Sequence, residues 1–253
     1  MKKKRTLWQK IKWLIKWSVI FFFGSTLLAV VIFKFVPVPA TPLMIIRLAE
    51  QITSDKPVVW KKDWVSIDEI SPNMWQAVIA GEDQRFMEHY GFDFESMQKA
   101  FKHNKKGKKI RGGSTVSQQT AKNVFLWPKR SYVRKAFEAY FTALIEMIWG
   151  KERIMEVYLN IVELGNGIYG CEAAAQHYFK KPASKLTKAE AAMIAGMLPS
   201  PLKSNPKNPN GSLIRRRDHI LQQMGYFPQI DLKGNNNPTM EKPKKKKSSK
   251  KKK

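Results

Sequence analysis

Apolar residues follow two rhythms along this chain. Near the N-terminus they are continuous: Trp17 to Phe33 is a run of 17 residues without a charge. Lys34 can extend its stem along such a run, which carries the apolar stretch to Val36 and meets the roughly 17 to 25 residues needed to cross a bilayer core. Beyond about Val59 the apolar positions recur at helical spacing. Ser71-Pro72 reads as a cap followed by proline at the first helical position, and Met74, Trp75, Val78, Ile79 and Phe86 then share one stripe. Further helices are expected over roughly Val116 to Phe125, over Arg134 to Trp149 up to Gly150, and over Glu152 to Leu164. Thr187-Lys-Ala-Glu190 forms a capping box that opens another as far as Leu198, and Ser212 to Met224 gives the last, stopped by Gly225. With no convincing alternating run and no internal repeat, the fold class is mainly α.

This divides the chain into a basic head (1–16), a transmembrane anchor (17–36), a Pro-rich linker (37–58, with Pro37, Pro39 and Pro42), a folded domain (59–230) and a disordered Lys-rich tail (231–253). The excess of Lys and Arg before the span puts the N-terminus in the cytoplasm and the remainder outside. A cleaved signal peptide has a shorter apolar core and a small-x-small site; Val38-Pro39-Ala40 before Thr41-Pro42 is a poor one, so the anchor is read as uncleaved. The formal charge is +26, but sixteen Lys and Arg sit in the two ends, leaving about +10 for the rest. Such a balance implies an anionic partner: nucleic acid, acidic lipid or a phosphorylated substrate. Cys171 is the only cysteine, which excludes an intrachain disulfide and a cysteine-rich metal site and leaves it as a small, half-buried structural residue.

Three constellations carry candidate chemistry. In Gly81-Glu82-Asp83-Gln84-Arg85-Phe86-Met87-Glu88-His89-Tyr90-Gly91, Glu82 lies on the apolar stripe, where lost solvation would raise a carboxyl towards the range of a general base. On periodicity alone a helix-end carboxylate paired with Arg85 is the simpler reading, and His89 reads as a hydrogen-bonded structural residue. In Arg111-Gly112-Gly113-Ser114-Thr115-Val116-Ser117-Gln118-Gln119-Thr120-Ala121-Lys122-Asn123, a glycine pair enters a helix, an arrangement that suits an anion, though a capped helix start fits as well. In Arg130-Ser131-Tyr132-Val133-Arg134-Lys135-Ala136-Phe137-Glu138, the last carboxylate is either half of a surface i,i+4 pair or a carboxylate among cations in a cleft.

Together, in this order and spacing, the three closely resemble the motifs of the peptidoglycan glycosyltransferase family, which includes the N-terminal module of bifunctional penicillin-binding proteins and the monofunctional transglycosylases. Glu152 to Gly165, continuing through Tyr169-Gly170, looks like that family's fourth motif, and the likeness runs from about Val59 to Tyr226. The resemblance implies a lysozyme-like helical lobe with a smaller, membrane-associated jaw, which Tyr90, Phe92, Phe94, Met97 and Phe101 would line unless they pack in the core. It implies polymerisation of lipid II outside the membrane, with inversion, by transfer to the acceptor's 4-hydroxyl. Glu82 corresponds to the catalytic base and Glu138 to the second essential carboxylate. Ser114, Lys122, Arg130 and Arg134 match positions that meet the donor phosphates, with Gln118 and Lys135 as weaker matches. A divalent ion, magnesium or manganese, often helps this family and would sit near Glu138; no organic cofactor is implied. The expected partners are lipid II, the growing glycan chain, membrane lipids and other cell-wall synthesis proteins.

Bifunctional relatives continue into a serine transpeptidase. Ser200-Pro-Leu-Lys203 matches its first element by chance, no Lys-Thr-Gly follows, and about 50 residues remain, so a monofunctional protein is expected. Two rivals stand. A lysozyme-like wall-cleaving enzyme also needs one Glu, but its substrate carries no phosphate to explain the cationic set. A module using the lysine tail on nucleic acid would bind by salt-dependent charge, yet the expected topology puts that tail outside the cytoplasm.

Overall fold

A computed structural model describes residues 6–54, 57–105, 107, 112–226 and 228–234; the expected disordered tail from 235 onward, the first five residues of the basic head and Arg111 lie outside the described residues. Helices α1 (Leu7–Phe35), α2 (Pro42–Ile52), α3 (Pro72–Glu82), α4 (Phe94–Lys105), α5 (Val116–Phe125), α6 (Tyr132–Ile148), α7 (Gly150–Ile161), α8 (Cys171–Phe179), α9 (Lys188–Met197) and α10 (Gly211–Tyr226) are joined by three short strands, β1 (Lys61–Lys62), β2 (Glu163–Gly165) and β3 (Ile168–Tyr169). The mainly α expectation therefore holds.

The main lobe is built on small residues. Ala191, Ala192, Ala195 and Gly196 are buried on α9, which lets α3 and α10 pack close on either side. A side chain at Gly196 would meet Leu213 Cδ1 at 3.2 Å. The expected caps are present: Ser71 accepts from Asn73 N–H with Pro72 opening α3, and Thr187 with Glu190 closes a full capping box on α9. The Cys171 thiol is fully buried rather than half-buried, and burial pushes it up to about 12, so it is an inert core residue.

Four boundaries differ from expectation. The helix expected to reach Leu164 stops at Ile161, and the next residues form β2, antiparallel to β3, which in turn pairs parallel with β1. Asn160 fixes this corner by bonding both N–H and C=O of Val65 at 2.9 Å. Gly167 (φ +67°) closes it, because a Cβ there would fall 2.0 Å from Val59 O. Gly225 does not stop α10, which runs on to Tyr226. The stretch expected as a linker contains α2, where Arg47 pairs with Glu163 at 3.1 Å and the Gln51 carbonyl accepts from Val59 N–H at 2.6 Å. At the other end, residues 228–232 fold back on α3: Trp75 Nε1 donates to Ile230 O, and the Gln76 amide bonds Pro228 O and Ile230 N.

Helix α1 is long and apolar enough to cross a membrane. It begins before the apolar run, since Thr6 and Gln9 form a capping box that draws Lys10, Lys12 and Lys16 into the helix. Its second half lies along α6: Phe22 packs on Phe137 and Tyr140, and Thr26 Oγ1 is 2.9 Å from Tyr140 Oη. Carbonyls at the end of the helix and just past it are taken by the folded lobe. Trp149 Nε1 donates to Val30 O at 2.7 Å, and Arg153 donates to Phe33 O and Val36 O at 2.9 and 2.7 Å. Arg153 is itself held by Glu156 at 2.7 Å and lies over the Trp64 ring.

Candidate active site

Helix α3 ends at Glu82 and presents its half-buried carboxylate towards α5, where Gln119 Nε2 donates to Glu82 Oε2 at 3.0 Å. Burial raises this carboxyl above its ordinary value, while the Gln119 amide, Arg216 on α10 and Lys122 on α5 pull it back down. The alternative pairing with Arg85 does not occur: Arg85 turns away to Glu88, Asp93 and Glu95. A carboxylate with a raised affinity for protons and a neutral amide as its hydrogen-bonded partner is equipped to accept a proton.

The loop after Glu82 is tied down by its neighbour. Asp83 is buried; its Oδ2 accepts from Val116 N–H at 2.9 Å, at the head of α5, and His89 Nε2 lies 3.0 Å from Oδ1. His89 is thus the structural residue expected of it. The anion at the start of α5 is the chain's own: Asp83 takes one of the free N–H groups there, and the Thr115–Gln118 capping box takes Gln118 N–H. Gln118, matched to a donor contact by resemblance, is buried, and its Oε1 accepts from Thr115 N–H to close that box, so it does not face the cleft. Ser114 lies just ahead of the cap and is exposed. Gly91 (φ +83°) lets Thr115 Oγ1 donate to its carbonyl at 2.7 Å; a Cβ there would fall 2.6 Å from Thr142 Cγ2. Beneath the loop, Lys151 donates to His89 O and to Glu146 Oε1, which also accepts from Ser117 Oγ.

One turn along α5 from Gln119, Lys122 faces a different environment. Glu138, buried on α6, accepts from Arg134 Nη1 at 2.8 Å and from Lys135 Nζ at 2.5 Å. Lys122 lies near this pair: burial lowers its ammonium affinity for protons, Glu138 raises it, and Arg134, Lys135 and Arg130 lower it again. Arg130 and Lys135 are exposed, Arg134 is buried, and Arg134 Nε has no hydrogen-bond partner among the described residues. Four cations with one carboxylate leave an excess of positive charge, and an unsatisfied buried N–H calls for an acceptor. An anionic group with several oxygens answers both. A resident divalent ion does not fit as well: both oxygens of Glu138 are occupied by cations, and no group of three His, Cys, Asp or Glu that could hold a metal exists among the described residues.

Sequence reasoning names Glu82, Lys122, Glu138, Arg134, Lys135 and Arg130, and the structure links them through Lys122, which is within electrostatic reach of Glu82 and of the Glu138 cluster. It misses Asp83, Gln119, Tyr158, whose hydroxyl donates to Gln119 Oε1 at 3.2 Å, and Arg216. The paired glutamines were the available signal, because residues one apart on a helix face different ways. Helix α4 carries Phe94 and Phe101 outward, and Tyr90 is also exposed; core packing therefore does not account for these three aromatics.

Residues 50–225 match the transglycosylase family. The chain is 54% identical over 212 residues to a biosynthetic peptidoglycan transglycosylase of Bacteroides thetaiotaomicron, covering 84% of this chain and 86% of that one. It is 50% identical over 221 residues to the protein of the same name from Bdellovibrio bacteriovorus (87% and 88% covered), and 54% identical over 202 residues to that of Caulobacter vibrioides (80% and 86% covered). On the extent of these matches, the chain belongs to the peptidoglycan transglycosylase family.

Proposed function

We propose that the protein is a membrane-anchored peptidoglycan glycosyltransferase that extends glycan strands from a lipid-pyrophosphate-linked disaccharide, lipid II. The acceptor's sugar 4-hydroxyl attacks the anomeric carbon of the donor from the face opposite the pyrophosphate. A new carbon–oxygen bond forms there as the bond to the pyrophosphate oxygen breaks, with inversion, and that electron pair leaves on the lipid pyrophosphate. The hydroxyl proton passes to Glu82. Lipid pyrophosphate is a weak base, so it needs neutralisation rather than a strong acid; Lys122, Arg134, Arg130 and Lys135 supply it. Glu138 holds Arg134 and Lys135 in position. Ser114, exposed at the mouth of the cap, is placed to meet the same donor.

The observation that carries this reading is the pairing on α5: Gln119 engages a half-buried carboxylate with raised proton affinity, and Lys122, one turn on, stands in a cluster of four cations. A wall-cleaving enzyme, whose substrate carries no phosphate, has no use for such a cluster. The anchor and the outward aromatics of α4 support work at a lipid surface, with the N-terminus in the cytoplasm and the cleft on the outer side. Other cell-wall synthesis proteins and membrane lipids are its expected neighbours. The full-length protein should convert labelled lipid II to polymer in vesicles. Release of soluble sugars from finished wall, without polymer from lipid II, would establish the cleaving enzyme instead.

A further inference from the structure

The hydrogen bond that holds Glu82 is itself held. Gln119 gives its Nε2 to Glu82 Oε2 at 3.0 Å, and Gln119 Oε1 accepts from the Tyr158 hydroxyl at 3.2 Å. Tyr158 is fully buried on α7, and its O–H has no other acceptor among the described residues. A primary amide can present either end. Flipped, Gln119 would set its carbonyl against the carboxylate, two acceptors face to face, and would leave the buried Tyr158 proton unpaired; both cost free energy.

We infer that Tyr158 is a positioning residue for the base: it locks the Gln119 amide so that Glu82 Oε2 always receives an N–H, leaving Oε1 to take the acceptor's hydroxyl proton. The inference rests on the transfer reaction proposed above. The charged and titratable groups around Glu82 are Asp83 beside it, Lys122 from α5, Arg216 from α10 and Tyr158 itself from α7. Burial keeps the Tyr158 phenol well above its usual range, so it remains a donor throughout the working pH range. A Tyr158→Phe change removes one hydroxyl, keeps the ring and leaves the other charges in place. An N–H donor favours the ionised carboxylate; once the amide is free to swing, Glu82 binds its proton more tightly.

The test is kcat and KM for labelled lipid II across pH 5 to 9, using full-length protein in vesicles. Tyr158→Phe should move the acid limb of kcat upward by about half to one pH unit, lower kcat at pH 6 by roughly 3- to 10-fold, and leave KM within about twofold. Activity should recover at high pH, which loss of folded protein would not permit. Gln119→Leu should shift the limb at least as far, and the double variant no further, because the two act in series. An unmoved limb in Tyr158→Phe, or additive shifts in the double variant, would overturn the inference. If the wild type makes no polymer, or Glu82→Gln keeps its activity, the underlying reaction reading fails instead.

Discussion

The two ends of the cleft hold their carboxylates in opposite ways. Glu82 is half-buried and bonded to a neutral amide, with the charges around it, Arg216, Asp83 and Lys122, acting without a direct bond. Glu138 is buried deeper and clamped between Arg134 and Lys135. Identical side chains therefore have different surroundings: the first is left with a raised affinity for a proton, the second is clamped by buried Arg134 and exposed Lys135 and keeps them in place. Environment, not residue type, separates the base from the strut.

Several substitutions break or sharpen this contrast. Glu82→Gln should reduce lipid II polymerisation by about 10³-fold, the middle of the range a positioned base supplies. Its melting temperature should hold or rise, because a desolvated carboxylate is removed. Glu138→Gln should do the reverse to stability. Leaving Arg134 buried without its partner costs about 3–5 kcal/mol, so melting should fall by about 10 °C. Lys122→Gln should lower kcat/KM by roughly 10- to 100-fold with folding intact, an effect that grows as salt is reduced. The pH profile gives a subtler check. Since the Glu82 carboxyl is raised and must be ionised to act, kcat should fall with acid at a pH above that of an ordinary glutamate, and Lys122→Gln should move that limb further up by removing a nearby positive charge. Smallest of all, Gln118→Ala should cost about 1 kcal/mol of stability through the cap, with less effect on kcat than Gln119→Ala.

Much of this was legible in the chain because the signals were local. Caps at Ser71 and Thr187, the apolar stripe of α3, the helix start at Val116, and the spacing of Arg134 and Lys135 before Glu138 depend on residues within one or two turns, and the structure reproduces them. What escaped was set by contacts distant in sequence. Asp83 reaches Val116, Tyr158 reaches Gln119, and Asn160 reaches Val65; no periodicity announces such pairs. Helix α2 was hidden behind a proline-rich approach, although Pro42 sits at its first turn, where proline is welcome. Helix α4 was hidden for another reason: its aromatics point outward, so its stripe is not the usual mark of a core-facing helix.

The bonds from Trp149 and Arg153 to the carbonyls of Val30, Phe33 and Val36 turn the anchor from a leash into a lever. Whatever leans the spanning helix leans the enzyme with it. A thicker or thinner hydrocarbon layer changes the lean of a helix that spans it; under the proposed anchoring, that lean passes to the folded lobe through the same bonds.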